Sequence, residues 1–443
     1  MILKVNKAST IRHLLSRAGF GFTPEQYQLY LDMDYEQVVD SLLDFSADNS
    51  ALDEMLTQQS FDFANPDDIK RWWLFRMLFT RHPLQEKLTL FWHGHFATSV
   101  KKVRNPYAMY LQNRVMRQYG LGRFDDLLLA VARDPAMILW LDNEQNRKGK
   151  PNENFAREVM ELFTLGIGHY TESDVKGAAR AFTGWHTKQG RFYFDKGTHD
   201  SGAKSVLGES GNLDGVDIVR ILARRKETAE RLALKLIRFF CVDNPDGGYV
   251  DKVARAYEPD HQIKPMLKTV FMSEQFQSKR CFHTLIKSPC DYVVGTLKYL
   301  QVSQVDGNTC NYLAAMGQDL FAPPSVKGWD GGAAWLASDT MMARFNFAAK
   351  VIGQKMDQLP QGKAALALCQ KQGIDNAASM VDYFCTLLLD GDIPSSARAK
   401  LVDYVSTDLK GNKLDSLPDT RLLDAKIRGL LHLIMTLPTY QLV

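Results

Sequence analysis

The sequence predicts a mainly α-helical, bundle-like fold with one small β-hairpin or strand insertion around residues 190–207. Three observations predict it. Apolar residues recur at helical period along most of the chain, and capping and stop residues interrupt that period at short intervals. In one stretch, Arg191-Phe192-Tyr193-Phe194-Asp195, the period changes to alternation, and a Gly-rich loop follows to Gly211.

Thr23-Pro24-Glu25-Gln26 opens the first clear helix, with a Thr cap, Pro in the first turn and Gln three residues after the cap. A helix over 67–81 carries Trp72, Trp73, Phe75, Leu78 and Phe79, and His82-Pro83 starts another that runs to Phe96. Helices at 107–118 and 123–133 are separated by Gly120 and Gly122. After the break at 148–152, a helix runs over 153–164 and closes on Leu165-Gly166 in the manner of a glycine cap. Thr171-Glu172-Ser173-Asp174 starts the next, which ends near Gly184, and helices resume at 214–225 and 226–240. A Pro/Gly-rich loop at 321–333 contains Val326-Lys327-Gly328-Trp329. The stretch 352–363 reads as a boundary. It separates a main helical domain, 1–351, from a smaller C-terminal helical region, 352–443, packed on the first.

A chain of 443 residues with 45% hydrophobic content can bury a large core. Its 54 basic and 51 acidic residues leave a charge of only +3, so no nucleic-acid partner is expected. The clusters Lys101-Lys102 with Arg104, and Arg224-Arg225-Lys226, read as solvated faces. Six scattered cysteines without a CxxC pair argue against a disulfide framework and against a cysteine zinc site. The start lacks the apolar run of a signal peptide, and no stretch approaches the ~20 apolar residues of a membrane span. The expected compartment is the cytoplasm, or outside it if a leader has been removed.

The blocks His13-Leu14-Leu15-Ser16-Arg17-Ala18-Gly19-Phe20-Gly21 and Phe91-Trp92-His93-Gly94-His95-Phe96 stand early in the chain. They are followed by the block from Asn152 to Gly166, then Ala181-Phe182-Thr183-Gly184-Trp185, His199-Asp200 and Val326-Lys327-Gly328-Trp329. In this order they resemble the bacterial domain of unknown function 1800 family over about residues 10–350. Pro438-Thr439-Tyr440-Gln441 closes the chain in the same character. Gly94 stands where the family usually has Asn. The resemblance implies membership but no particular activity, and some relatives carry export signals.

Several polar residues sit where a helical core would not place them without reason. At about 100° per residue, Leu84, Leu88, Phe91 and Trp92 form one stripe with His95 in its middle, while His93 falls opposite. Gly94 between them would let the backbone turn and bring both imidazoles to one zinc or iron ion. The plainer reading is a core His95 and a surface His93. On the helix over 153–164, Glu158 lies within the apolar arc between Leu162 and Leu165, and Glu161 lines the adjoining edge. A carboxylate there must be protonated, paired or bound to a cation. Arg17, Arg157 or Arg180 would answer it in a purely structural network. His199, in a glycine-flanked loop, is the third contributor.

The metal-ligand candidates are therefore His93, His95, Glu158, Glu161 and His199. The catalytic candidates are Glu158, Glu161, Arg157 and Asp200, and no organic cofactor site is expected. No GxSxG elbow, Walker-type loop or dinucleotide fingerprint is present. Lys327 would be an anion contact or simply solvated. Trp185, Trp329 and Trp335 would stack sugars or fasten loops. Three functions fit: a metal-dependent hydrolase or oxidoreductase, a metal-free glycan hydrolase or lyase using the Glu pair, and a non-enzymatic scaffold for a protein or surface polysaccharide.

Overall fold

A computed structural model of the chain describes residues 6–302, 307–357, 369–408, 410–414, 417 and 420–443. The fold is mainly α, with two small two-stranded sheets among the described residues. No described helix is long and apolar enough to cross a membrane.

The chain divides into two compact units. One comprises 36–278 and 319–330; the other comprises 1–35, 279–318 and 331–443. The division expected near 352 is therefore drawn differently by the contacts, and residues 358–368 of that region lie outside those described. A linear boundary is what composition can suggest, whereas core packing groups segments distant in sequence.

In the second of these units, Arg344 is fully buried and donates to the Lys287 carbonyl (2.8 Å) and to Gln441 Oε1 (3.2 Å). Gln441 in turn donates to the Met435 carbonyl at 3.0 Å. The same unit contains the helix Pro24–Leu31, where Thr23 and Gln26 form the expected capping box. Trp335 packs there over Gly317 and Gly331.

The first unit holds the helices Pro66–Phe79, Pro83–His95, Pro106–Tyr119 and Phe124–Ala132, close to their expected positions. Asn65 and Asn105 cap two of them, each followed by a proline whose missing N–H costs nothing in a first turn. The helix expected over 153–164 changes character midway. Asn154–Glu158 is α-helical, and Val159–Thr164 widens into a π-turn in which Leu165 N–H reaches back five residues to the Met160 carbonyl at 2.8 Å. Thr164 Oγ1 also donates to the Val159 carbonyl at 2.7 Å. Such wide turns gather at functional sites.

The β insertion comprises two hairpins. Strand β1 (Trp185–Lys188) pairs with β2 (Arg191–Phe194), and β3 (Lys204–Val206) pairs with β4 (Glu209–Gly211). Both turn on two residues with positive φ, Gln189-Gly190 and Leu207-Gly208. That is the type I′ geometry matched to strand twist. The helix Glu172–Ala181, capped by a Thr171–Asp174 box, packs against β3 through Gly177. A Cβ there would stand 2.5 Å from the Ser205 carbonyl oxygen and 2.8 Å from Val206 Cγ2. In an open helix Gly→Ala gains about 1 kcal/mol. Here backbone must move, so Gly177→Ala is expected to destabilise by about 1–3 kcal/mol in urea denaturation. A gain in stability would show that the helix does not press on this strand.

Candidate functional site

The π-turn arranges the acidic residues. Phe155, Ala156, Val159, Met160 and Phe163 are buried, while Glu158 and Glu161 are partly exposed. A wheel of uniform turn placed Glu158 inside the apolar arc. The widened turn breaks that regularity, so the carboxyl sits at the core's margin instead. Glu158 makes no hydrogen bond or ion pair among the described residues. Its carboxyl is shifted upward, chiefly by burial and next by the neighbouring Glu161 charge, against the pull of Arg157 and Lys327. Glu161 is held: Tyr170 Oη donates to its Oε2 at 2.5 Å. Burial, and then this bond, push the Tyr170 hydroxyl up to about 12.

The arginines proposed as structural partners of Glu158 are engaged elsewhere. Arg157 grips both oxygens of Glu172 at 2.7 Å and also reaches Glu153 at 3.1 Å. Arg180 holds Asp200 at 2.7 and 3.2 Å. Arg17 donates to the Cys281 carbonyl and to Thr284 Oγ1.

Behind the π-turn lies a buried polar chain. His95, 4% exposed, places Nε2 3.0 Å from the Phe163 carbonyl and Nδ1 3.0 Å from Lys235 Nζ. A carbonyl only accepts, so Nε2 carries the proton and Nδ1 accepts from the lysine. The imidazole is thereby neutral, held far below its usual range by burial and by the charges of Lys235 and Arg231. Lys235 is itself pushed down to about 7, first by burial and then by Arg231 one turn before it. Arg231 donates to the Leu162 carbonyl at 3.3 Å and faces the Glu161 charge. Lys235 and Arg231 are the site residues that sequence reasoning missed. On the helix Lys226–Phe240 they border the buried stripe of Leu232, Ala233, Leu236 and Ile237 and look like an ordinary solvated edge.

His93 is 1% exposed, not a surface residue, because the helix Pro83–His95 is covered on nearly every side. Its ring lies 5.4–5.5 Å from the rings of Trp73, Phe321 and Trp329, and Nε2 has no hydrogen-bond partner. Burial pushes its pKa down to about 3. The folded protein therefore carries His93 neutral while the unfolded chain protonates it below about 6.5. Stability is lost as pH falls from that value toward 3. His93→Phe removes this proton uptake. Its stability relative to the parent should rise progressively as denaturation is repeated at lower pH, and a constant difference would contradict the assignment.

His199 Nδ1 lies 2.8 Å from the Thr183 carbonyl, and Asp200 N–H donates to Thr183 Oγ1 at 2.7 Å. With Arg180 holding its carboxylate down to about 2, Asp200 fastens the loop after β2 to the end of the preceding helix. Trp185 packs between Phe182 and Phe192 and likewise fastens the hairpin. Lys327 is exposed, and Gly328 behind it, at φ +90°, would drive a Cβ to 2.6 Å from the Gly94 carbonyl oxygen. Only glycine lets the loop lie so close to the end of the His93–His95 helix.

The structure thus gathers Glu158, Glu161, His95, Lys235 and Arg231 around one π-turn. Arg157, His93, His199 and Asp200 are each committed to separate local contacts. Among the described residues, no three His, Cys, Asp or Glu side chains form a group able to hold a metal ion. Ligation by His95 would require giving up one of its two ring hydrogen bonds. What the arrangement supplies is an unpaired carboxyl, an anchored carboxylate and a near-neutral amine within one polar cluster.

Comparison with curated proteins and with solved structures gives no match. A family model described as a protein of unknown function (DUF1800) matches residues 13–442, nearly the whole length. The ordered blocks that run from His13 to Gln441 thus have their explanation: this chain belongs to the DUF1800 family.

Proposed function

We propose that this protein is a metal-free enzyme, a hydrolase or lyase acting on a carbohydrate, with Glu158 as its proton-transferring group. One observation carries the reading: Glu158 is a partly buried carboxyl with no partner among the described residues, three positions from a carboxylate that Tyr170 holds in place. Enzymes raise the pKa of a carboxyl in this way when it must hold a proton near neutrality. Glu161, oriented by Tyr170, is the complementary base, and the Lys235–His95 pair positions the turn that carries both. Trp329, partly exposed beside Lys327, offers an aromatic face of the kind against which sugar rings pack.

The test is to treat the full chain with a chelator and assay it on neutral and acidic glycans. New reducing ends report hydrolysis, and unsaturated products report elimination. Turnover that survives chelation and is lost in Glu158→Gln supports the reading. Turnover restored only by zinc or iron favours the metal-dependent alternative. A folded protein inactive on every glycan leaves the scaffold.

A further inference from the structure

Away from Glu158, the unit comprising 36–278 and 319–330 contains an open cleft of about 730 Å³. Its lining includes residues of the helices Ser50–Gln58, Pro66–Phe79, Pro83–His95 and Pro106–Tyr119 and of the loop after the first of them. That volume is within the range of small-ligand sites. Its wall is aromatic: Phe63 stacks on Tyr110 with ring centroids 4.1 Å apart, and Trp72 meets Tyr110 edge-on at 4.8 Å.

Three arginines share the wall. Arg76 and Arg117 are both bonded to the buried Glu86, and Arg76 also lies 3.7 Å from Asp53. Arg114 is exposed, its guanidinium 5.7 Å from the Tyr110 ring centre, and it has no ion pair among the described residues. The cleft therefore presents one uncompensated positive charge beside an aromatic face. Gln85, Gln118 and Ser60 also line it, with side chains that make no hydrogen bond among the described residues.

We infer that this cleft binds an acidic sugar, its ring against the aromatic wall that includes Tyr110 and its single carboxylate on Arg114. The fork of a guanidinium takes a carboxylate through two parallel hydrogen bonds. The free amides and hydroxyl suit the ring hydroxyls of a sugar. Asp53, 72% exposed at the rim, repels additional negative charge and so disfavours a polyanion such as a nucleic acid. Binding in this cleft requires nothing of Glu158.

A matched pair of probes tests it on the full chain: methyl β-D-glucuronide and methyl β-D-glucoside, which differ in the carboxylate, titrated by calorimetry and ligand-observed NMR. The glucuronide should bind about tenfold or more tightly than the glucoside, with a preference that shrinks as salt is raised. Arg114→Gln should abolish that preference and weaken the glucuronide by about tenfold, leaving the denaturation midpoint unchanged because the residue is exposed. Tyr110→Leu should weaken both sugars. Equal binding of the two probes, no binding of the glucuronide at millimolar concentration, or an Arg114→Gln variant with the parent's preference would each overturn the inference.

Discussion

Glu86→Ala should remove about 3–5 kcal/mol of stability, measured by urea denaturation at neutral pH. Glu86 has no exposed surface, and both of its oxygens are fully used. Oε1 accepts from Arg76 Nε at 3.0 Å and Arg117 Nε at 2.7 Å; Oε2 accepts from Trp73 Nε1 at 3.0 Å and an Arg117 terminal nitrogen at 2.8 Å. The alanine variant would take these bonds from two largely buried guanidinium groups, 12% and 9% exposed, and from a buried indole N–H. Among the described residues Arg117 would retain its hydrogen bond to Asn113, at 2.6 Å, and its place over the Trp72 ring. The cost comes mainly from the charges left behind, because desolvation offsets much of what the intact pair contributes. A loss below about 1 kcal/mol would mean that water reaches the arginines.

The same group governs acid stability. Burial alone would raise the Glu86 carboxyl, but Arg117 and Arg76 overcome it and hold the group down to about 2, against an ordinary 4.5. A depressed carboxylate contributes stability above its unfolded value and loses it as pH falls through the folded one. About 3 kcal/mol should therefore disappear between pH 4.5 and about 2. In Glu86→Gln this segment of the stability–pH curve should flatten, while the His93 contribution, which begins near 6.5, remains.

Glu158→Gln should lower turnover by about 10²- to 10⁴-fold, the usual worth of a positioned acid or base. Folding should be nearly unaffected, since Glu158 gives no partner a bond to lose. At neutral pH its charge is disfavoured by burial and by Glu161, so removing it leaves stability equal or slightly higher. Under the scaffold reading the same substitution has no activity to lose. The pH profile adds a sign. If the protonated form of Glu158 acts, the rate should decline as pH rises through its raised pKa. A substitution at Glu161 that removes its charge should move that limb to lower pH. An unshifted limb would mean that another group titrates.

Helices, caps and loops were legible because their causes are local. Thr23 with Gln26 and Thr171 with Asp174 carry their start signals within four residues, and their helices begin there. The hairpins were legible only in part. The alternation of Arg191–Phe194 is visible, but its partner Trp185–Lys188, just after the expected helix end near Gly184, lies outside the expected insertion, and the turns Gln189-Gly190 and Leu207-Gly208 lack the usual Asn or Asp. Glu158 and Glu161 were identifiable as residues out of place in an apolar pattern. Their actual setting was not, because a π-turn depends on hydrogen bonds that no periodicity announces.

Helical class, the positions of many of the longer helices in the 36–278 region, family membership and the carboxylate pair worth examining are all readable from the chain alone. Each follows from interactions between residues near one another in the chain, or from the order of its blocks. Folding in three dimensions is what cages His93 among Trp73, Phe321 and Trp329, sets His95 against Lys235 across 140 positions, and joins Arg76 to Arg117 through Glu86. Burial and charge pairing are set by whichever distant segments meet. A lysine at the edge of one helix and a histidine at the end of another acquire their chemistry only on contact.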